Sequence, residues 1–116
     1  MKLEFLFVPT SDLNASLALY RDGFGFTELW REGDATVALS LPGSDVQLML
    51  DANDPSAPLG PLFVVDSLED FHAARAESLT VVEEPSEIPG GFQATYQDPG
   101  GATIYVIDQS TDSAAQ

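Results

Sequence analysis

The chain has 116 residues, of which 44% are hydrophobic, and it contains no cysteine. This length suits one domain with a single core, and no apolar run approaches the roughly 18 residues that a membrane-spanning helix needs. The lack of cysteine excludes disulfides, thiolate metal sites and cysteine nucleophiles. The first residues lack the basic and apolar pattern of a signal peptide, so we predict a cytoplasmic protein.

Acidic residues dominate the charge. Nineteen Asp and Glu residues against four Lys and Arg give a formal net charge of −15. Such a surface repels nucleic acid and anionic membranes, so we expect neither as a partner. It attracts cationic ligands, but an acidic surface is also an adaptation to solubility or salt, and the composition leaves both explanations open.

The first half of the chain is predicted to form a strand, a helix and three more strands. LEFLFVP is a β-rich run that ends at Pro9, and Ser11-Asp12 can cap a helix whose apolar residues recur at helical spacing. Gly23 and Gly25 end that helix. The segments FTELWRE, TVALSLP and VQLMLD then follow as short strands separated by turn signals.

The second half follows a linker, ANDPSAPLG, and has the same order of elements. LFVVD is predicted to be a strand, and Ser67 with Asp70 forms a capping box before a helix that runs to Leu79. TVVEEP, FQATYQ and ATIYVID complete the set of strands. The tail, residues 109–116, has nothing to bury and is predicted to fray.

The two halves repeat each other. A shift of 55 residues places Leu68 on Leu13 and Val81 on Phe26. We therefore predict an α+β fold in a single domain, residues 1–108, with βαβββ module one at 1–54 and module two at 60–108. Modules of this kind form a curved mixed sheet with helices outside and a groove inside.

Two segments carry a resemblance to a known family. SDLNASLALYRDGFGF resembles the opening helix motif of the vicinal oxygen chelate superfamily, and DPGGATIYVID resembles its closing turn and strand. This superfamily contains glyoxalases, bleomycin-resistance proteins and extradiol dioxygenases, and the resemblance covers residues 3–108. It implies the paired-module fold and a homodimer. It does not select one activity, because the same scaffold serves isomerases, oxygenases, thiol transferases and metal-free drug-binding proteins.

The resemblance also identifies four positions that hold a divalent ion in metal-dependent members. These members typically use a His on the first strand, a Glu on the fourth, a His on the fifth and a Glu on the eighth. The corresponding residues here are Phe5, Gln47, either Gly60 or Leu62, and Tyr105. Divalent ions in this family need imidazole and carboxylate donors. We therefore predict no metal ligand, no other cofactor and no catalytic residue.

An apolar and aromatic groove with a few polar groups replaces the metal site in this interpretation. Its predicted ligand-binding residues are Phe5, Phe7, Trp30, Gln47, Met49, Gln93, Thr103 and Tyr105. Such a lining suits an uncharged or weakly cationic planar molecule that stacks on a ring and hydrogen-bonds to an amide or phenol. Two alternatives stay open: the aromatic side chains fill a closed core, or Trp30 covers a subunit interface.

Two main classes of function fit these observations. The first is a metal-free binding protein, similar to the bleomycin-resistance branch, that sequesters an antibiotic or an aromatic metabolite. The second is a lyase, isomerase or dioxygenase of the same fold with an atypical active site, which the shortage of titratable groups in the groove disfavours. An interaction module without a small ligand is a third class. His72, the only histidine, is predicted to be a surface or boundary residue of the second helix.

Overall fold

The computed structural model of the chain describes residues 1–111. These residues form eight strands and two α-helices: β1 (Lys2–Pro9), α1 (Leu13–Leu17), β2 (Thr27–Glu32), β3 (Thr36–Ser40), β4 (Gln47–Asp51), β5 (Gly60–Val64), α2 (Leu68–Ala74), β6 (Thr80–Ile88), β7 (Gly91–Gln97) and β8 (Thr103–Asp108). The predicted α+β class and βαβββ order are confirmed. Of the tail that is predicted to fray, residues 112–116 lie outside the described residues.

The chain divides into two compact units. The N-terminal unit is Glu4–Leu59, and the C-terminal unit combines Met1–Leu3 with the chain from Gly60 onward. Strand order is β2-β3-β4-β1 in the first and β5-β8-β7-β6 in the second. In both units the first strand pairs parallel with the fourth, and the other neighbours are antiparallel. This shared topology confirms the internal repeat. No helix in the described part of the chain is long and apolar enough to cross a membrane.

In the N-terminal unit α1 packs on one face of the strands. The helix begins as predicted at Asp12, whose Oδ1 accepts a hydrogen bond from the Ala15 amide at 3.0 Å. Its buried residue joins apolar side chains of β3 and β4 in a core of Leu17, Val37, Leu39, Leu48 and Leu50. The other face of these strands is therefore available for different side chains.

The predicted first helix continues beyond α1 as a π-helical segment, Ala18–Gly23, instead of a uniform α-helix. Its wider hydrogen-bond spacing is visible in the Phe24 amide, which donates to the Leu19 carbonyl at 2.8 Å. This segment brings the Tyr20 ring into contact with Phe24 and Phe26, at centroid distances of 5.7 and 6.4 Å. The segment ends at Gly23, as predicted.

In the C-terminal unit α2 begins at the predicted cap, because Ser67 Oγ accepts a hydrogen bond from the Asp70 amide at 3.2 Å. The core consists of Val65, Leu68, Ala94, Tyr96 and Val106. The helix ends at Ala74, before the predicted Leu79, because Arg75 takes an extended conformation with ψ of 150°. The Arg75 guanidinium donates to the His72 carbonyl at 2.6 Å and so provides a hydrogen-bond donor for a backbone carbonyl of the last turn.

A buried carboxylate at the end of β8 joins three parts of the C-terminal unit. Asp108 is 2% exposed. Its Oδ2 accepts a hydrogen bond from the Leu68 amide at 2.6 Å, and its Oδ1 accepts bonds from the Phe92 amide at 3.1 Å and from Ser110. Gly91 makes this approach possible, since a side chain there would collide with the Asp108 backbone. Asp108 therefore connects the start of α2, the start of β7 and the residues that follow β8.

Candidate functional site

Five of the predicted ligand-binding residues lie on one face of the N-terminal unit, the face opposite α1. In the parallel pair of β1 and β4, Phe5 lies beside Gln47 and Phe7 lies beside Met49. On the antiparallel pairs, Met49 lies opposite Ala38, and Ala38 lies opposite Trp30. The intervening side chains form the core under α1, and side chains alternate along a strand. We name Phe5, Phe7, Trp30, Gln47 and Met49 the aromatic face.

Two rings meet across the middle of the aromatic face. The Phe5 and Trp30 centroids lie 6.0 Å apart, with an interplanar angle of 83°. Their strands are separated by β3 and β4, a distance of roughly 14 Å at the usual strand spacing, so both side chains extend inward. The register partner of Trp30 on β3 is Ala38, whose small side chain leaves room beside the tryptophan ring. Phe5 is 6% exposed, whereas Trp30 is half-buried.

Gln47 brings an unsatisfied polar atom to this face. Its Oε1 is buried and has no hydrogen-bond partner among the described residues. Native structures satisfy most buried acceptors, because an unpaired one costs about 1 to 3 kcal/mol. The aromatic face therefore combines apolar rings with one hydrogen-bond acceptor that no residue from 1 to 111 satisfies.

The other three predicted residues, Gln93, Thr103 and Tyr105, lie on the face of the C-terminal unit opposite α2. Tyr105 on β8 lies between its register partners Leu62 on β5 and Thr95 on β7. On β7 and β8, Thr103 pairs with Gln97 and Gln93 pairs with Ile107. Tyr105 and Thr103 are half-buried, and Gln93 is exposed. This face therefore offers amide, hydroxyl and phenol groups, each positioned by a strand.

The four positions that ligate metal in relatives do not fit a divalent ion here. The register pairs Leu62 with Tyr105 as it pairs Phe5 with Gln47, so Leu62 rather than Gly60 corresponds to the fifth-strand position. The four side chains are then two hydrocarbons, one amide and one phenol, and they lack the imidazole and carboxylate donors that such ions need. Within residues 1–111, no group of three or more His, Cys, Asp and Glu side chains could hold a metal ion.

His72 has a more specific environment than its place on a short helix predicts. It is half-buried, its Nδ1 hydrogen-bonds with the Tyr96 hydroxyl at 2.8 Å, and its Nε2 lies 3.1 Å from the Glu84 carboxylate. Burial raises the pKa of the Tyr96 phenol; the charge of Arg75 opposes this shift and that of Glu84 adds to it. His72 follows the buried Leu68 by four residues. Residues at this spacing share one side of a helix, so the sequence indicates that His72 lies toward the core side of α2.

A pocket of about 430 Å³ lies beside α2 within the C-terminal unit. Its lining includes Leu68, Glu69, His72, Pro85, Phe92 and Asp108. The Asp108 oxygens and both His72 nitrogens already bind partners in the same unit. Unlike the aromatic face, this pocket has buried polar groups that are engaged in holding the fold.

Solved structures of other proteins share this architecture. A protein described as the NAD-dependent benzaldehyde dehydrogenase from Legionella pneumophila is 13% identical, with a TM-score of 0.75 over 90% of this chain and 97% of that one. A hypothetical protein from Bacillus halodurans is 12% identical, with a TM-score of 0.69 over 92% and 93% of the two chains. A glyoxalase/bleomycin resistance protein/dioxygenase superfamily member from Vibrio splendidus is 22% identical, with a TM-score of 0.61 over 88% and 94%. At these identities the likeness shows the fold alone.

The family comparison covers nearly the whole chain. No curated protein sequence matches the chain significantly. The family model of the Glyoxalase/Bleomycin resistance protein/Dioxygenase superfamily matches residues 2–106, which include all eight predicted ligand-binding residues. The chain therefore belongs to the Glyoxalase/Bleomycin resistance protein/Dioxygenase superfamily.

Proposed function

We propose that this chain binds a planar aromatic or cationic small molecule, such as an antibiotic or an aromatic metabolite, and sequesters it without a metal ion and without transforming it. The observation that carries the proposal is the aromatic face. At the first-strand and fourth-strand positions where metal-dependent relatives place a His and a Glu, this chain has Phe5 packed against Trp30, and Gln47 with an unused acceptor. Rings and one amide can bind an organic molecule by contact and hydrogen bonding.

The charge and the C-terminal face support the same proposal. A net charge of −15 draws basic molecules toward the surface and keeps anions away. Gln93, Thr103 and Tyr105 add amide, hydroxyl and phenol groups that can hydrogen-bond to polar substituents of a ligand. The five residues of the aromatic face include no ionisable side chain, which favours binding over catalysis there.

Intrinsic fluorescence tests the proposal, because Trp30 is the only tryptophan of the chain. In a titration with planar aromatic amines and neutral planar aromatics, we expect a saturable change of Trp30 emission that a chelator does not affect. Trp30→Ala should weaken binding about 2-fold to 12-fold by calorimetry, which corresponds to the roughly 0.5 to 1.5 kcal/mol of one aromatic contact.

Phe24→Ala is the matched control, because Phe24 is 58% exposed and belongs to the aromatic cluster on the α1 side. We expect it to leave the affinity unchanged. The proposal is wrong if no compound of the panel changes Trp30 emission, or if both variants weaken binding equally.

We further propose that the protein is a cytoplasmic homodimer that binds neither nucleic acid nor membranes. Association into closed two-fold dimers is the commonest assembly of soluble proteins. Light scattering should give the mass of two chains across micromolar concentrations. The mass of a single chain throughout that range would contradict the dimer while leaving the binding proposal intact.

A further inference from the structure

A carboxylate lies on the face of the C-terminal unit opposite α2, the face that carries Tyr105. Glu83 on β6 is paired with Thr95 on β7, and Thr95 is paired with Tyr105 on β8. The Thr95 hydroxyl donates a hydrogen bond to Glu83 Oε1 at 3.1 Å, so both side chains lie on the same side of the sheet. We name Glu83, Thr95 and Tyr105 the carboxylate row. Its two ends are separated by two strand spacings, about 10 Å along the backbone.

An irregularity in β6 turns Glu83 toward this face. Val81 packs against the core under α2, and strict alternation would direct Glu83, two residues later, to the same side. The pairing with β7 shifts between Val81 and Glu83, because β6 contains one extra residue there. A β-bulge of this kind re-aims a side chain. Glu84 lies on the α2 side, where its carboxylate is 3.1 Å from His72 Nε2, so the two adjacent carboxylates occupy opposite faces.

The chain supplies a basic neighbour to Glu84 but not to Glu83. Within residues 1–111, no ion pair includes Glu83. Its side chain is exposed, so a molecule from solution can reach it. A carboxylate has about four lone-pair sites and can accept further hydrogen bonds beside the one from Thr95. Glu83 is therefore an accessible negative charge on a face whose other predicted ligand contacts are neutral.

The row also provides a place for an aromatic ring at its other end. The Tyr105 ring lies toward β5, since a Cβ on Gly60 would come within 3.4 Å of Tyr105 Cε2. Thr95 is short and lies between Tyr105 and the longer Glu83 side chain. A molecule that crosses Thr95 can contact the Tyr105 ring with an aromatic group and the Glu83 carboxylate with an ammonium group.

We propose that Glu83 binds the protonated amine of an aromatic ligand whose ring packs against Tyr105. This inference rests on the proposed function and narrows the ligand to an aromatic ammonium compound. Hydrogen bonds from an ammonium to a carboxylate are charge-assisted and stronger than those between neutral groups. Glu83 therefore determines specificity, because a neutral molecule of the same shape lacks the charge and an acid is repelled.

Naphthylmethylamine and naphthylmethanol are matched probes, since they share shape and size and differ in an ammonium against a hydroxyl group at neutral pH. We expect the native protein to bind the amine about threefold to tenfold more tightly than the alcohol in calorimetric titrations. Glu83→Gln removes the charge and keeps an oxygen that can accept the Thr95 hydroxyl. In this variant the affinity for the amine should fall to that for the alcohol, and the affinity for the alcohol should not change.

Glu84→Gln is the matched control, because it changes the net charge by the same amount on the same strand but on the opposite face. It should retain the preference for the amine. Added salt gives a second readout, since exposed charges are screened. The preference should weaken with salt in the native protein and in Glu84→Gln, whereas Glu83→Gln should show no salt-dependent preference.

The outcomes separate this inference from the proposed function. Equal affinity of the native protein for the two probes, or an equal loss of amine affinity in both variants, overturns the role of Glu83 and leaves the binding function standing. A loss of alcohol affinity in Glu83→Gln also overturns it, because Glu83 would then shape the face rather than select the charge. If neither probe binds but other compounds of the aromatic panel do, the role of Glu83 is wrong; if nothing binds, both proposals are wrong.

Discussion

Asp108→Ala is expected to reduce the free energy of unfolding by about 3 to 5 kcal/mol, because it leaves three backbone donors, the amides of Leu68, Phe92 and Ser110, without this acceptor. The lost carboxylate is 2% exposed and accepts hydrogen bonds from the Leu68 and Phe92 amides. Those amides belong to the first residue of α2 and to β7, so the defect affects both the helix and the sheet of the C-terminal unit. Urea unfolding at neutral pH measures the loss.

The same carboxylate makes the stability depend on pH. Burial alone would raise the pKa of Asp108, but the hydrogen bonds from Leu68, Ser110 and Phe92 together outweigh it and hold the pKa below its usual range. A carboxyl whose pKa is lowered by folding contributes stability above its unfolded pKa of about 3.9, and this contribution is lost as the pH falls through the folded value. The free energy of unfolding of the native protein should therefore exceed that of Asp108→Asn at neutral pH, and this difference should disappear in acid.

The predicted pH dependence is tested by urea unfolding at neutral and at acid pH. The midpoints of the native protein, Asp108→Asn and Asp34→Asn are compared. Asp34 is exposed in the turn before β3, and its replacement should leave the midpoint nearly unchanged. If Asp108→Asn is as stable as the native protein at neutral pH, the carboxylate does not hold the unit together as proposed.

Local chemistry explains the parts of the fold that the sequence predicts well. The caps at Asp12 and Ser67 depend on residues three positions away, so a short segment contains the whole signal. The 55-residue repeat predicts two modules because each repeats the same order of strands and helix. The early end of α2 and the π-helical segment were not predictable, since both result from competition between nearly equal backbone hydrogen-bond patterns.

The sequence predicts which side chains of the candidate site share a face, but it predicts the contacts between them less well. Alternation along β1 and β4 places Phe5, Phe7, Gln47 and Met49 on one face, and the register confirms that they share it. The Phe5–Trp30 contact joins side chains of the first and last strands in the order β2-β3-β4-β1, which alternation within one strand does not reveal. The unpaired Gln47 oxygen is likewise a property of the packed unit, because any neighbouring donor would have satisfied it.

Phe5→Ala is expected to reduce the free energy of unfolding by about 3 to 5 kcal/mol, the usual cost of deleting a buried aromatic side chain. Phe5 is 6% exposed and its ring contacts Trp30. Loss of this partner should also expose Trp30 to water and shift its emission to longer wavelength. Urea unfolding followed by Trp30 emission measures both effects, with Phe24→Ala as the control for an aromatic side chain that is 58% exposed.

The outcome at Phe5 decides between the two interpretations of the aromatic side chains. A large loss of stability means that the Phe5 ring fills a closed core, so that Phe5 is not a ligand contact. A variant that keeps its stability but no longer binds the aromatic panel would contradict this and make Phe5 an open ligand contact. Phe5→Leu separates the two further, because an aliphatic side chain retains much of the packing but cannot provide a ring for stacking.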